Sequence, residues 1–465
     1  MFRDACRGHR SPVDTPLNRA ITGRLLFLFV LGDVLGAGIY ALVGGIAAET
    51  GGALWVPLLL ALGLALLTAG SYAELVTQHP RAGGAAVFAR RAYRSPLVAF
   101  VVGFCMAAAG MVSVAALALA FSGEYLAELV AVPQVPAAVV FLVLVGLLNA
   151  RGIKESLRAN VLMTVVEVGG LLLVVVLGVL VVTGGDGDVG RVTEFREGTS
   201  APFAVLGGAL LAYYSFVGFE TSANVAEETQ DVRRTYPRAL FGSLVVAGAA
   251  YVLVGLAVSA AVPTDVLAES SGPLLEVVRA SGTGLPPELF SLIALIAVAN
   301  GALLTSVMAS RLLYGMARDG LLPPVLGRVL PKRRTPGVAV AVTVAAAVVL
   351  AVTGGVTALA ETVVLLLLVV FVSTNLAVLV LRRERTDAPH FRVWTPVPVL
   401  GIVSCVVLAT QQSAGTYLRA GLLVLVGLVL YGLSRLTGAS GQAAEPYPDE
   451  AGAPTAVRSE PPVSP

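Results

Sequence analysis

The chain has 465 residues, 57% hydrophobic and 13% charged, with a mean hydropathy of +0.86 and a formal net charge of +2. So much apolar sequence excludes a water-soluble domain and fits an all-α polytopic membrane protein. The near-zero charge gives no sign of a nucleic-acid partner. Its three cysteines, Cys6, Cys105 and Cys405, lie far apart, two of them in apolar stretches, so neither a disulfide nor a metal cluster is expected. No cofactor is expected. Residues 1–20 lack the apolar core of a cleavable signal peptide.

Twelve apolar stretches read as candidate membrane helices, near residues 25–48, 53–77, 96–122, 134–150, 160–183, 202–225, 240–262, 286–316, 337–354, 358–381, 397–411 and 418–435. The first contains GDVLGAGIYALVGG, Gly32 to Gly45. Each glycine costs about 1 kcal/mol of helix propensity relative to alanine. Asp33 adds a carboxylate at membrane depth, where acids face a protein interior or a wet cavity. The economical reading is a helix that breaks near Gly36–Ala37–Gly38. A break frees backbone N–H groups that need a partner in lipid. A bound carboxylate is one such partner, because half-helix N-termini attract anions. Glycine-mediated close packing of helices is the competing explanation.

The sixth stretch echoes the first. Residues 204–229, AVLGGALLAYYSFVGFETSANVAEET, are weakened by Gly207, Gly208 and Gly218 and carry Glu220 near the middle. Broken helices five spans apart point to an inverted 5+5 repeat with the substrate at the midplane. The expected organisation is an N-terminal segment 1–24, one five-helix unit over 25–183, a second over 202–381, and two peripheral spans over 397–435. A tail over 438–465 has too little apolar surface to order itself. With the N-terminus in the cytoplasm, all of the 31 basic residues except Arg191, Arg196, Arg279 and Arg419 fall on the inner side. That split satisfies the positive-inside rule, and the even span count puts both termini in the cytoplasm.

Four stretches carry a resemblance: GAGIY in the first span, SYAELVTQHPRAGGAAVFARRAY (71–93), SFVGFETSANVAEET (215–229) and ASRLLYGMARDGLLPPVL (309–326). In this order and spacing they resemble the amino acid–polyamine–organocation superfamily of permeases, over roughly residues 20–435. The resemblance implies ten core helices in two inverted repeats, the leucine-transporter-like fold, plus two peripheral helices. It also implies secondary active transport of amino acids or related amines across the plasma membrane, driven by protons or sodium, and no enzymatic activity.

Carried over residue by residue, the resemblance places the substrate α-carboxylate on the backbone amides of Gly36, Ala37, Gly38 and Ile39. It places the α-ammonium on carbonyls of Tyr214, Ser215, Phe216 and Val217, with Tyr214 as the best match for a covering aromatic and Phe216 and Phe219 beside it. Ordinary core packing competes for the two phenylalanines. Glu220 could hold a proton, bind a cationic side chain or tie the half-helices together. Glu167 lies mid-span where proton-coupled relatives place a lysine, and no predicted span here contains a lysine. A carboxyl there can carry a proton itself. Asp33 is a third acid near the cavity, with an arginine pair as its alternative. Thr305 and Ser306 are weak sodium-site candidates, since hydroxyls in membranes usually bond their own helix. Glu74, Glu227 and Glu228 read as an inner ion-pair network with Arg90, Arg91, Arg94, Arg233 and Arg234, and Glu361 as a solvated helix start. The acids tilt the substrate slightly towards cationic amino acids or polyamines. Exchange, a potassium-type carrier and a transport-dead sensor are the alternatives on the same scaffold.

Overall fold

The computed structural model describes residues 21–35, 38–80, 84–151, 156–331, 333, 335–383 and 390–436, with 156–160 as backbone alone. In a bilayer every backbone N–H and C=O needs an internal partner, so apolar runs become helices. Among the described residues no strand forms; one isolated bridge joins Ile21 to Thr229.

The first stretch is two helices, α1 (Gly23–Leu35) and α2 (Gly38–Thr50), bent by 42°. There follow α3 (Trp55–Gln78), α4 (Gly84–Tyr93), α5 (Pro96–Phe121), α6 (Glu124–Ala127), α7 (Gln134–Arg151) and α8 (Ser156–Gly184). The sixth stretch is also interrupted. Helix α9 (Ala201–Tyr214) stops, the chain turns, and a 3-10 helix runs Phe219–Glu228. Next come α10 (Val232–Ala261), α11 (Thr264–Glu269), α12 (Pro273–Ala280), α13 (Pro287–Arg318) and α14 (Gly337–Thr353). The last three are α15 (Val356–Leu381), α16 (Pro396–Thr410) and α17 (Ala414–Leu436).

Each expected span overlaps a helix or, in the first and sixth, an interrupted pair, but not every helix is long. Among the described residues nine are long and apolar enough to cross a membrane, and ten if α1 and α2 form one span. The remaining apolar helices, α14 and α16, have 17 and 15 residues. At about 1.5 Å per residue, the shorter rises about 22 Å, against a hydrocarbon core of about 30 Å. Helix α10 starts well before the expected 240, because the charged turn after Asp231 continues the helix.

Helix α5 is the centre of the packing. Its best apolar window is 83% buried, whereas that of α17 is 17% buried and leaves a wide face to lipid. Small residues bring helices close, the main source of association where lipid is as apolar as the helix surface. Gly110 of α5 meets Ala309 of α13, where an added Cβ would stand 2.9 Å from the alanine methyl. Helix α1 packs on α10 and α8, and α9 on α3 and α15. Helix α5 packs on α13 and α15, and α13 on α8. The breaks in the first and sixth stretches are thereby held inside the bundle.

Candidate functional site

The two breaks touch. Gly38 begins α2, and a Cβ there would lie 2.7 Å from the Cα of Ser215. Gly218 follows the end of α9 with φ +125°, a conformation open to glycine and strained for other residues. A Cβ on it would stand 2.8 Å from the carbonyl oxygen of Asp33. Tyr251 of α10 crosses between the breaks. Its hydroxyl lies 2.5 Å from the carbonyl of Val34 and 3.0 Å from that of Ser215, so one phenol proton serves a carbonyl from each broken helix. Of the expected carboxylate site, Gly38 and Ile39 are buried; Gly36 and Ala37 lie outside the described residues.

The second break is stitched by its own residues. The amides of Ser215, Phe216 and Val217 each donate to the carbonyl three residues back, at 3.0 Å. Glu220 is buried, and its Oε2 accepts from the Gly218 amide at 2.9 Å. Its carboxylate therefore sits at the start of the 3-10 helix, where negative charge is favoured. The Thr221 hydroxyl lies 2.8 Å from the Gly218 carbonyl and also donates to Oδ2 of Asp33. Asp33 therefore has a threonine of the sixth stretch as partner, in place of the arginine weighed as its alternative.

The aromatic residues divide by environment. The Tyr214 hydroxyl is 2.9 Å from the Ser113 hydroxyl of α5. Phe216 meets Tyr251 edge-on at 5.2 Å between ring centroids. Phe219 stacks on Phe371 of α15 at 5.5 Å and meets Tyr72 edge-on at 5.8 Å. Both phenylalanines are fully buried and carry packing whatever else they do. Val217 is partly exposed.

Glu167 of α8 is fully buried. Its Oε1 accepts from Asn300 of α13 at 3.2 Å, while Oε2 has no hydrogen-bond partner among the described residues. The Tyr40 hydroxyl of α2 donates to the Glu167 backbone carbonyl at 3.0 Å, and the Tyr125 hydroxyl to the Tyr40 carbonyl at 2.9 Å. The Ser215 hydroxyl is likewise buried without a partner among the described residues. The weak sodium candidates separate. Ser306 is buried and accepts from Asn149 of α7 at 3.1 Å, while Thr305 is half-buried on the same helix. Among the described residues no group of three or more His, Cys, Asp or Glu side chains could hold a metal ion.

Charged residues cover the flanks. Glu74 of α3 is gripped through both oxygens by Arg382, at 2.6 and 2.7 Å, and also accepts from the Val393 amide at 2.9 Å. This binds the segment after α15 beneath α3, a pairing absent from the expected network. Glu361 is not merely solvated; it accepts from Thr416 of α17 at 2.7 Å. At one end of the site, α11 and α12 lie on α2. There Arg279 reaches Glu128 at 2.5 Å, Glu276 at 2.7 Å and Glu124 at 3.9 Å. At the other end, Ile21 and the close of the 3-10 helix exchange two main-chain bonds of 2.9 Å, Ile21 to Glu228 and Gln230 to Ile21.

Tyr251, Asn300, Ser113 and Thr221 are not singled out by the sequence. A signal exists for the first two. Each is a lone hydrogen-bonding side chain in an apolar span, AGAAYVLVG and IAVANGALL, and such a group needs a partner when buried.

The profile of the amino acid permease family matches residues 23–420. The chain is 28% identical to the branched-chain amino acid permease BcaP of Bacillus subtilis over 89% of its length and 92% of that protein. It is 27% identical to the methylthioribose transporter of the same organism, over 89% of this chain and 93% of the relative. It is 30% identical to the vacuolar cationic amino acid transporter 2 of Arabidopsis thaliana, over 80% of this chain and 61% of the relative. With a profile match across most of its helices, the chain belongs to the amino acid permease family of the amino acid–polyamine–organocation superfamily.

Proposed function

We propose that the chain carries amino acids across the plasma membrane by alternating access, with protons as the first choice of coupling ion and both termini cytoplasmic. The contact between the two helix breaks carries this reading, since it brings backbone groups freed from two helices to one place. Amides at Gly36 to Ile39 hold the α-carboxylate, and carbonyls from Tyr214 to Val217 hold the α-ammonium. Phe219 and Tyr214 cover the bound molecule. Twelve spans in two inverted five-helix repeats, 25–183 and 202–381, followed by peripheral spans over 397–435, fit the helix pairings. Exchanging the first five spans for the next five turns α1–α10 into α9–α3, α1–α8 into α9–α15, and α5–α15 into α13–α8, all of which are in contact.

Glu167 is the coupling residue in this reading, and its unpartnered Oε2 is where a proton would reside. Glu220 and Asp33 are engaged by the second break and act in gating. Their engagement weakens the tilt towards cationic substrates and favours, as a second reading, a branched-chain substrate against Ile39, Phe216 and Phe219. Purified protein in liposomes with an imposed pH gradient separates the possibilities. Labelled leucine, alanine, arginine, lysine, putrescine and glutamate would be offered with and without sodium. Gradient-driven accumulation of one class supports the proposal and names the substrate. Counterflow without accumulation makes the protein an exchanger, and binding without flux makes it a sensor. For Glu167→Gln, retained exchange with lost accumulation supports the coupling role; unchanged accumulation dismisses it.

A further inference from the structure

Outside the central site, two neighbouring clefts lie where α1 begins. One of about 570 Å³ is lined by Arg24, Phe27, Leu28, Thr235, Arg238 and Ala239, between α1 and α10. A neighbouring cleft of about 420 Å³ shares Arg24 and Leu28 and adds Leu25 and Val161 of α8. Arg24 stands where the two meet. Most of the lining is apolar; its charged groups are two exposed arginines, with Thr22 and Thr235 beside them. Arg382 and Arg279 are engaged by carboxylates, but Arg24 and Arg238 make no ion pair or hydrogen bond among the described residues.

Two guanidinium groups with no partner among the described residues, over a largely apolar groove, fit an amphipathic anion. Guanidinium binds phosphate oxygens in its planar fork. Arg24 is the second residue of α1 and is followed by the apolar run Leu25–Leu31, which in the proposed orientation puts it at the level of the membrane headgroups. We propose that this groove binds one anionic phospholipid of the cytoplasmic leaflet, with its phosphate between Arg24 and Arg238 and an acyl chain along Phe27 and Leu28. The choice of leaflet rests on the proposed orientation, in which α1 starts at the inner surface. The lipid would fill the space between the first half-helix and α10, so that its headgroup charge sets how readily α1 moves away from α10.

Native mass spectrometry of the protein released from bilayers of phosphatidylglycerol and phosphatidylcholine tests this without any flux. The wild type is expected to retain one phosphatidylglycerol in preference to phosphatidylcholine. Each arginine near a membrane surface gives about a fivefold preference for anionic lipid, so the pair gives on the order of twentyfold. Arg24→Gln with Arg238→Gln should lose the preference. The double Lys variant should keep most of it, and Arg233→Gln, on α10 but outside the groove, should keep all of it. Equal retention of the two lipids by the wild type overturns the proposal, as does undiminished phosphatidylglycerol on the folded double Gln variant. Displacement of the lipid by millimolar inorganic phosphate would replace it with a soluble anion. Retention is read from mass, so a failed uptake assay leaves this result standing, and a lost lipid leaves the transport reading to its own test.

Discussion

The two helix breaks meet in space but are held in different ways. The second carries most of its own supports: Glu220 caps the Gly218 amide, Thr221 bonds the Gly218 carbonyl, and successive turns tighten the stretch from Ser215 to Val217, with Tyr251 reaching the Ser215 carbonyl from α10. The first borrows its supports from elsewhere. Tyr251 of α10 reaches the Val34 carbonyl, Tyr125 reaches the Tyr40 carbonyl, and Gly38 fits against the backbone of Ser215. A self-capped break keeps its shape while its neighbours move. A break held by others changes when they do. The difference suits a carrier in which one half-helix yields and the other acts as a fixed point.

Substitutions can break or sharpen that contrast. The largest effect is expected for Gly38→Val. The new side chain would collide with Ser215, and uptake should vanish while surface biotinylation shows normal amounts in the membrane; normal uptake would remove the first break from the site. Gly218→Ala comes next, because the position needs positive φ and its Cβ would press on Asp33. A strained backbone of this kind costs about 1–3 kcal/mol, and uptake should fall about tenfold or more. Tyr251→Phe leaves two buried carbonyls without their donor. Such orphaned groups cost about 1–3 kcal/mol, visible as a lower melting temperature in detergent. A melting temperature equal to wild type would mean that the first break supports itself after all. The smallest effect on stability is expected for Glu220→Gln, whose amide oxygen can still accept from Gly218. Substrate affinity or its pH dependence should change; if both stay put, Glu220 only shapes the turn.

Much of the fold was legible because a bilayer leaves the backbone few options. Runs such as 96–122 and 358–381 had to be helices, and they are. The breaks were legible for the opposite reason. Glycines and acids in GDVLGAGIY and SFVGFE are poor choices for an unbroken apolar helix, and their misfit marked them. What stayed hidden was the choice of partner across the chain. Nothing local to Glu74 says that Arg382, in a segment 308 residues away, will grip it. Nothing local to Ser306 says that its hydroxyl will meet Asn149. The short connectors α4, α11 and α12 were also unread, since amphipathic pieces of 10 residues or fewer leave no membrane-length signal.

The bridge between Ile21 and Thr229 uses main-chain atoms alone. Side chains on either side of it can therefore drift without weakening it, and comparison of sequences would overlook it. It is nevertheless sensitive to whatever is attached just upstream. A purification tag or fluorescent protein spliced close to Ile21 would tug on the main-chain bonds that fasten the residue before α1 to the end of the sixth stretch. Tags on this carrier belong at the other terminus, or behind a spacer long enough to leave that fastening slack.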